Sequence, residues 1–236
     1  MLAIEEFLEL ARSRRTVRGF LKKEVPRGYI EKILEAARWA PSGGNSQPWE
    51  FVVVTDAEMR QRIVDLYVKQ MQDKREMEMA VRGTTVTRGE PTGFRNAPVF
   101  ILVLGDARVN DAFPIRTNLD KGEQHFITGL ASATLMIHLA AASMGLGSQW
   151  VSDSASPYMA TILKSWLGIP QHLKVYDLVP VGYPVKQPLA PPRRTVEEIT
   201  HWEHYAPDRV RGDADINNFL MEQTRLGNWG RQKQPE

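Results

Sequence analysis

The stretch from about Glu123 to Met144 is the most apolar in the chain, and it dictates what the rest must do. Phe126, Leu130, Ile137, Ala141 and Met144 recur at helical spacing, and Gly145 marks an end. A helix with so broad an apolar face must be covered by other elements, and its many alanines let them approach closely. The run Leu130 to Leu146 also contains Ser132, Thr134, His138 and Ser143. That makes it too polar and too short for a membrane span and predicts a core helix. With 236 residues the chain can supply the covering layers, as one large domain or two small ones.

Those layers can be read from their periodicity. Ile4, Phe7, Leu8, Leu10 and Ala11 predict a first amphipathic helix, giving way near Arg14 to the extended Thr16-Val17. Pro26 can open a second, with Ile30, Ile33, Leu34 and Ala37 on one face and Pro41 beyond its end. Phe51 to Val54 reads as a buried strand. A helix follows from about Asp56, with Met59, Ile63, Leu66, Tyr67 and Met71 in its pattern, which weakens after Met71. Residues 82–96, with Gly83, Gly89, Pro91 and Gly93, read as a long loop of the kind used for lids. Val99–Leu104, Ser148–Ser152 and Lys174–Val181 read as strands, Tyr158–Leu167 and Asp213–Leu226 as helices. Few strands separated by long helices predict an α+β fold with a central mixed sheet flanked by helices.

Several function classes drop out. The chain has no cysteine, which removes disulfides, iron–sulfur clusters and thiol catalysis. Thirty basic residues against 28 acidic ones, scattered, do not form the basic stripe that nucleic acid requires. Acids and arginines throughout residues 1–20 predict no signal peptide, and a cytoplasmic location is the expectation. No Gly-x-Gly-x-x-Gly follows a strand, and there is neither a P-loop nor a Gly-x-Ser-x-Gly elbow. His201 and His204 lack further ligands nearby for a metal. His125 and His138 lie in the apolar helix and read as hydrogen-bonded core or interface residues, or as substrate contacts.

Three segments do not look like ordinary core. Ser13-Arg14-Arg15-Thr16-Val17-Arg18 places three guanidiniums where a helix turns into an extended segment. They can clamp a phosphate or simply solvate a helix end. Pro41-Ser42-Gly43-Gly44-Asn45-Ser46-Gln47-Pro48-Trp49 is a stiff loop exposing amides to a flat heterocycle, or a turn into the next strand. Arg193-Arg194 follows a proline-rich run and is a third cationic point, or a charged surface loop.

At these residues the chain resembles the nitroreductase family. Ser-Arg-Arg-Thr-Val-Arg is similar to its Arg-Arg-Ser-x-Arg signature, with Thr16 keeping the hydroxyl. The 41–49 loop resembles its Pro-Ser-x-x-Asn-x-Gln-Pro-Trp loop. Ala142 to Trp150 resembles its Gly-Leu-Gly-Thr-x-Trp segment, and Gly182-Tyr183-Pro184 with Arg193, Arg194, Glu197 and Glu198 resembles its ending. The resemblance covers roughly residues 4–200.

It implies a domain over 1–202 that binds FMN at the interface of an intertwined homodimer, with a lid at 68–96. Arg14, Arg15 and Arg193 would hold the phosphate, with Arg194 as a helper. Thr16 would bond the ribityl chain or phosphate, and Arg18 would sit near the pyrimidine ring. Pro41, Ser42, Gly43 and Asn45 would reach the flavin from the partner subunit, supported by Gln47. Ser152 and Asp153 would cross near N5. No side chain is implied as an obligatory proton donor; the cofactor carries the redox chemistry. The implied reaction is ping-pong hydride transfer from NAD(P)H to an electron-poor nitroaromatic, quinone, enone or halogenated phenol. Alternatives are a reductive dehalogenase or other specialised flavoenzyme of the same fold, and a non-catalytic flavin-binding protein. Residues 203–236 lie outside the resemblance. Their Ile216, Phe219, Leu220, Leu226 and Trp229 predict an extension that packs on the partner.

Overall fold

A computed structural model describes residues 3–83 and 92–225, with side chains to 222. The expected lid at 68–96 lies partly outside these residues, as do Leu226 and Trp229.

Four strands, β1 (Trp49–Val54), β2 (Val99–Asp106), β3 (Gly147–Ser148) and β4 (Leu173–Gly182), form one sheet in the order β1-β2-β4-β3. Every pair is antiparallel. The parallel component expected of a mixed sheet is thus reduced to an isolated bridge between Thr16 and Ser148. β2 is buried on both faces, which is why its sequence is a continuous apolar run rather than an alternation. Phe100, Leu102 and Leu104 turn to one side, Ile101 and Val103 to the other.

Helices cover both faces. On one, α3 (Ala57–Arg82) and α5 (Pro157–Leu167) bring Ile63, Val64, Leu66, Met159 and Leu163 onto Phe100, Leu102 and Leu104. On the other, α2 (Arg27–Ala37) and α4 (Ile115–Ser143) bring Ile30, Ile33, Leu130, Ala133 and Ile137 onto Ile101, Val103 and Val179. α1 (Ile4–Ser13) buries no residue, and α6 (Val196–Ile199) and α7 (Asp213–Arg225) follow the sheet.

α3 begins and ends where its caps are. Asp56 accepts from the Met59 N–H at 2.8 Å to open α3, and Gly83 closes it at φ +67°. The apolar pattern fades after Met71 because the rest of α3 faces solvent. The helix nonetheless continues to Arg82, since Gln, Glu, Lys, Arg, Met and Ala are all strong helix formers. α4 likewise starts at Ile115, eight residues before Glu123. Its first two turns keep Ile115 and Leu119 exposed and include Gly122, so they carry no core periodicity. At 29 residues α4 is long and apolar enough to cross a membrane by length and composition, against the expectation from the shorter run. Here it is the helix under the sheet, with Leu130, Ala133, Ile137 and Ala141 fully buried.

The strand expected at Ser148–Ser152 is cut short. Gln149 N–H donates to Pro180 O at 3.2 Å, but Pro180 has no N–H to return the bond. Val151 makes one more bridge to Leu178, and the chain then turns through Ser152–Ala155. β3 is therefore two residues long, and it ends beside the first arginines.

Candidate functional site

The end of α1, the end of α4 and β3 converge on a cavity of about 90 Å³, lined among others by Ser13, Arg14, Arg15, Gly147, Ser148 and Gln187. The link between segment 14–18 and the sheet is backbone: Val17 N–H donates to Ser148 O at 2.9 Å. Gly147 is required there, because a Cβ would sit 2.5 Å from Val17 Cγ2. Gln187 Nε2 donates to Ser13 O at 2.9 Å and ties the proline-rich segment to the same place. The sequence reading missed Gln187, which has no local signature.

The arginines divide by role. Arg14 is half-buried. Burial lowers its pKa, and the charges of Arg193 and Arg15 lower it further. Like charges gathered without a carboxylate among those acting on Arg14 make a site that an anion would relieve. Arg15 is partly committed elsewhere: its Nη1 donates to Arg12 O and, at 2.8 Å, to Arg14 O, capping α1. Its buried Nε has no partner among the described residues. Arg193 is exposed and donates to Pro192 O at 3.2 Å. Arg194 Nη2 donates to Glu198 O at 2.6 Å, so it is spent on α6 rather than turned to the cluster. Arg18 stays solvent-exposed beside Tyr67, although neighbouring atoms desolvate its guanidinium enough to lower its pKa.

The amide-rich loop folds as a strained turn. Gly44, Asn45 and Gln47 all have positive φ, +58°, +53° and +45°. Asn tolerates this region and Gln does so rarely. The Ser42 hydroxyl accepts from Gln47 N–H at 3.0 Å and holds the turn. Gly43 lies flat on α4, where a Cβ would meet His125 Cγ at 2.4 Å. Pro41 and Asn45 are exposed, and the buried Ser46 Oγ and His125 Nδ1 beside them have no partner among the described residues.

The third part is the Ser152–Ala155 turn, and α3 holds it. Lys74 Nζ pairs with the Asp153 carboxylate, and Gln70 Nε2 donates to Asp153 O at 3.3 Å. Ser156 Oγ donates to Gln70 Oε1 at 2.8 Å, and Ser152 remains exposed. Gln70 and Lys74 are thus residues the sequence reading passed over. They lie where the apolar pattern of α3 gives out, and only the fold brings them to Asp153. His201 lies apart, stacked on Tyr205, and accepts from Ala206 N–H.

The fold does not bring the arginines and the amide loop together within one chain. The loop rests on His125 and Gly129 of α4, while the arginine cavity meets α4 at Ala142. At about 1.5 Å per residue, these points are roughly 20–25 Å apart along the helix.

The family model described as the nitroreductase family matches residues 11–183. A protein of Archaeoglobus fulgidus, carrying the provisional name NADH dehydrogenase/NAD(P)H nitroreductase, is 30% identical over 181 residues. That alignment covers 77% of this chain and 87% of the relative. Human iodotyrosine deiodinase 1 is 28% identical over 203 residues, covering 83% of this chain and 68% of that protein. Among solved structures, an FMN-dependent nitroreductase of Clostridium difficile superposes with a TM-score of 0.63. It covers 84% of this chain and 99% of that one, and at 23% identity the likeness is one of fold.

Proposed function

This chain belongs to the nitroreductase family, and from that premise we propose that it is an FMN-dependent NAD(P)H oxidoreductase working as a homodimer. The observation that carries the reading is the arginine cavity, where the charges of Arg193 and Arg15 act on half-buried Arg14 and the buried Arg15 Nε has no partner among the described residues. A phosphate monoester fits that set: it neutralises the cluster and accepts charge-assisted bonds. FMN, when bound, would supply a hydride acceptor for NAD(P)H and a reductant for an electron-poor substrate.

This chain's own residues then have separable tasks. Arg14 and Arg193 hold the phosphate, with Arg15 contributing its Nε side. Thr16, fixed by its bridge to Ser148, stands next along the chain toward the ribityl group. Arg18 offers a cation to the pyrimidine end, and the Lys74–Asp153 pair holds the Ser152–Asp153 turn. Pro41, Ser42, Gly43, Asn45 and Gln47 lie too far along α4 to share a ligand with their own arginines. Supplied by a second copy, they would close the site. Ile115, Leu119, Ile127 and Leu135 line α4 with exposed apolar surface that a second copy would cover.

The tail supports the same assembly. Val210, Ile216, Leu220 and Met221 are all at least 41% exposed within one chain. We expect truncation after Tyr205 to raise the dimer dissociation constant, measured by analytical ultracentrifugation. An unaltered constant would refute a role for the extension.

The function itself is tested anaerobically. The loaded protein is mixed with NADH or NADPH, then with nitroaromatic, quinone, enone and halophenol acceptors, following flavin absorbance. Bleaching by a nicotinamide and recovery by an acceptor are expected. With no Gly-x-Gly-x-x-Gly site, donor and acceptor must share one space, so double-reciprocal plots should be parallel. Bleaching by neither nicotinamide would defeat the donor assignment, and a protein that takes up no FMN would defeat the cofactor. The deiodinase relatives favour a second reading, reductive dehalogenation, for which fastest recovery with the halophenol is the signature.

A further inference from the structure

His138 and Ser148 form a buried pair that the proposed function does not use. Ser148 is 2% exposed and His138 4%. His138 Nδ1 and Ser148 Oγ are 2.7 Å apart, and Nε2 has no partner among the described residues. Ser148 lines the arginine cavity, and its backbone is pinned there by Val17 and Thr16.

Resting on the FMN reading, we infer that Ser148 is a further phosphate ligand and that His138 is the positioning residue that turns its hydroxyl proton into the cavity. Burial, and after it the charge of Arg14, push the His138 pKa down to about 4, so the ring is neutral near pH 7 and carries one proton. On Nε2 that proton would be an orphaned buried N–H, which folded proteins rarely tolerate. On Nδ1 it donates to Ser148 Oγ, and Nε2 is left as a bare acceptor. Ser148 Oγ then receives a hydrogen bond from the ring and must direct its own proton elsewhere. The cavity is the direction left to it. A proton facing Arg14 and Arg15 is poorly placed until an anion stands between them. The pair therefore presets a neutral donor where the cations converge, and a phosphate oxygen completes it.

A ligand of the phosphate must distinguish FMN from riboflavin. The test is equilibrium dialysis of the full-length protein against each flavin, with thermal melts to verify folding. Ser148→Ala and His138→Leu are each expected to weaken FMN binding about tenfold and to leave riboflavin binding unchanged. His138→Asn, whose amide N–H stands near the place of Nδ1–H, should restore most of the loss; His138→Gln, whose amide reaches toward Nε2, should not. Ser148→Ala leaves the backbone bridge intact and decides the matter even if the His138 variants fail to fold. An unchanged FMN-to-riboflavin preference in folded Ser148→Ala overturns this inference alone. A wild-type protein that binds neither flavin overturns the FMN reading and the inference with it.

Discussion

Arg14→Ala is expected to weaken FMN binding about ten- to a hundredfold, the worth of a charge-assisted contact, while leaving the flavin-free protein no less stable. The two halves of this expectation have one cause. In the flavin-free chain Arg14 is half-buried, and what acts on it is burial and the charges of Arg193 and Arg15, all opposing its charge. Removing it relieves repulsion. With a phosphate present the same position supplies a short-range attraction, and its loss is felt in full. Dialysis gives the affinity, and melts with and without FMN give the linkage, because a ligand that binds only the folded state stabilises it by RT ln(1 + [L]/Kd) and raises the melting temperature accordingly. Arg193→Ala should follow Arg14→Ala. Arg15→Ala should in addition lower the stability of the flavin-free protein, because Arg15 caps α1. Arg194→Ala should leave FMN binding alone, its guanidinium being held by Glu198 O. Unchanged affinity in both Arg14→Ala and Arg193→Ala would sink the phosphate assignment.

The second large effect concerns Asp177, a carboxylate in the middle of β4. It lies opposite Val103 at a bulge, since Val103 faces Asp177 while Leu104 faces Val175. Burial pushes its pKa up from 3.8 to about 7, against hydrogen bonds from the Trp150 indole and the Leu178 N–H that favour the charged form. One oxygen has no partner among the described residues. The sign follows from linkage. An acid whose pKa is raised on folding binds its proton more tightly in the native state, so it costs stability as pH rises above about 4. The cost grows until about pH 7 and is constant beyond, reaching on the order of 4 kcal/mol. Asp177→Asn keeps an acceptor for the indole and removes the charge. Its stability relative to wild type should therefore rise between pH 4 and 7 and level off. At pH 8 the melting temperature should be higher by about 10 °C. A difference between the two proteins that does not change with pH would refute the raised pKa of Asp177.

Local chemistry was enough to read much of this molecule. The core of α4, the buried strand β2, the start of α3 near Asp56 and the turn at 41–49 follow from spacing and residue type, because each depends on neighbours within a few residues. The three polar segments stood out for the same reason. Where reading failed, the determinant was distant or solvent-facing. The outer turns of α3 and the first turns of α4 bury little, so periodicity was silent there and propensity alone sustained the helix. The shortening of β3 depends on Pro180, more than thirty positions away. Residue type did not separate Arg14 from Arg15 and Arg194 either: the carbonyls that hold Arg15 and Arg194 are close in the chain, but only the folded backbone decides which carbonyl each identical guanidinium reaches. Tertiary structure alone brought Gln70 and Lys74 to Asp153, and His138 to Ser148 beside the arginines. It also put the amide loop and the arginine cluster at different points along α4. Motif order along a chain carries no information about that distance, because a rigid helix fixes it at 1.5 Å per residue whatever the motifs require.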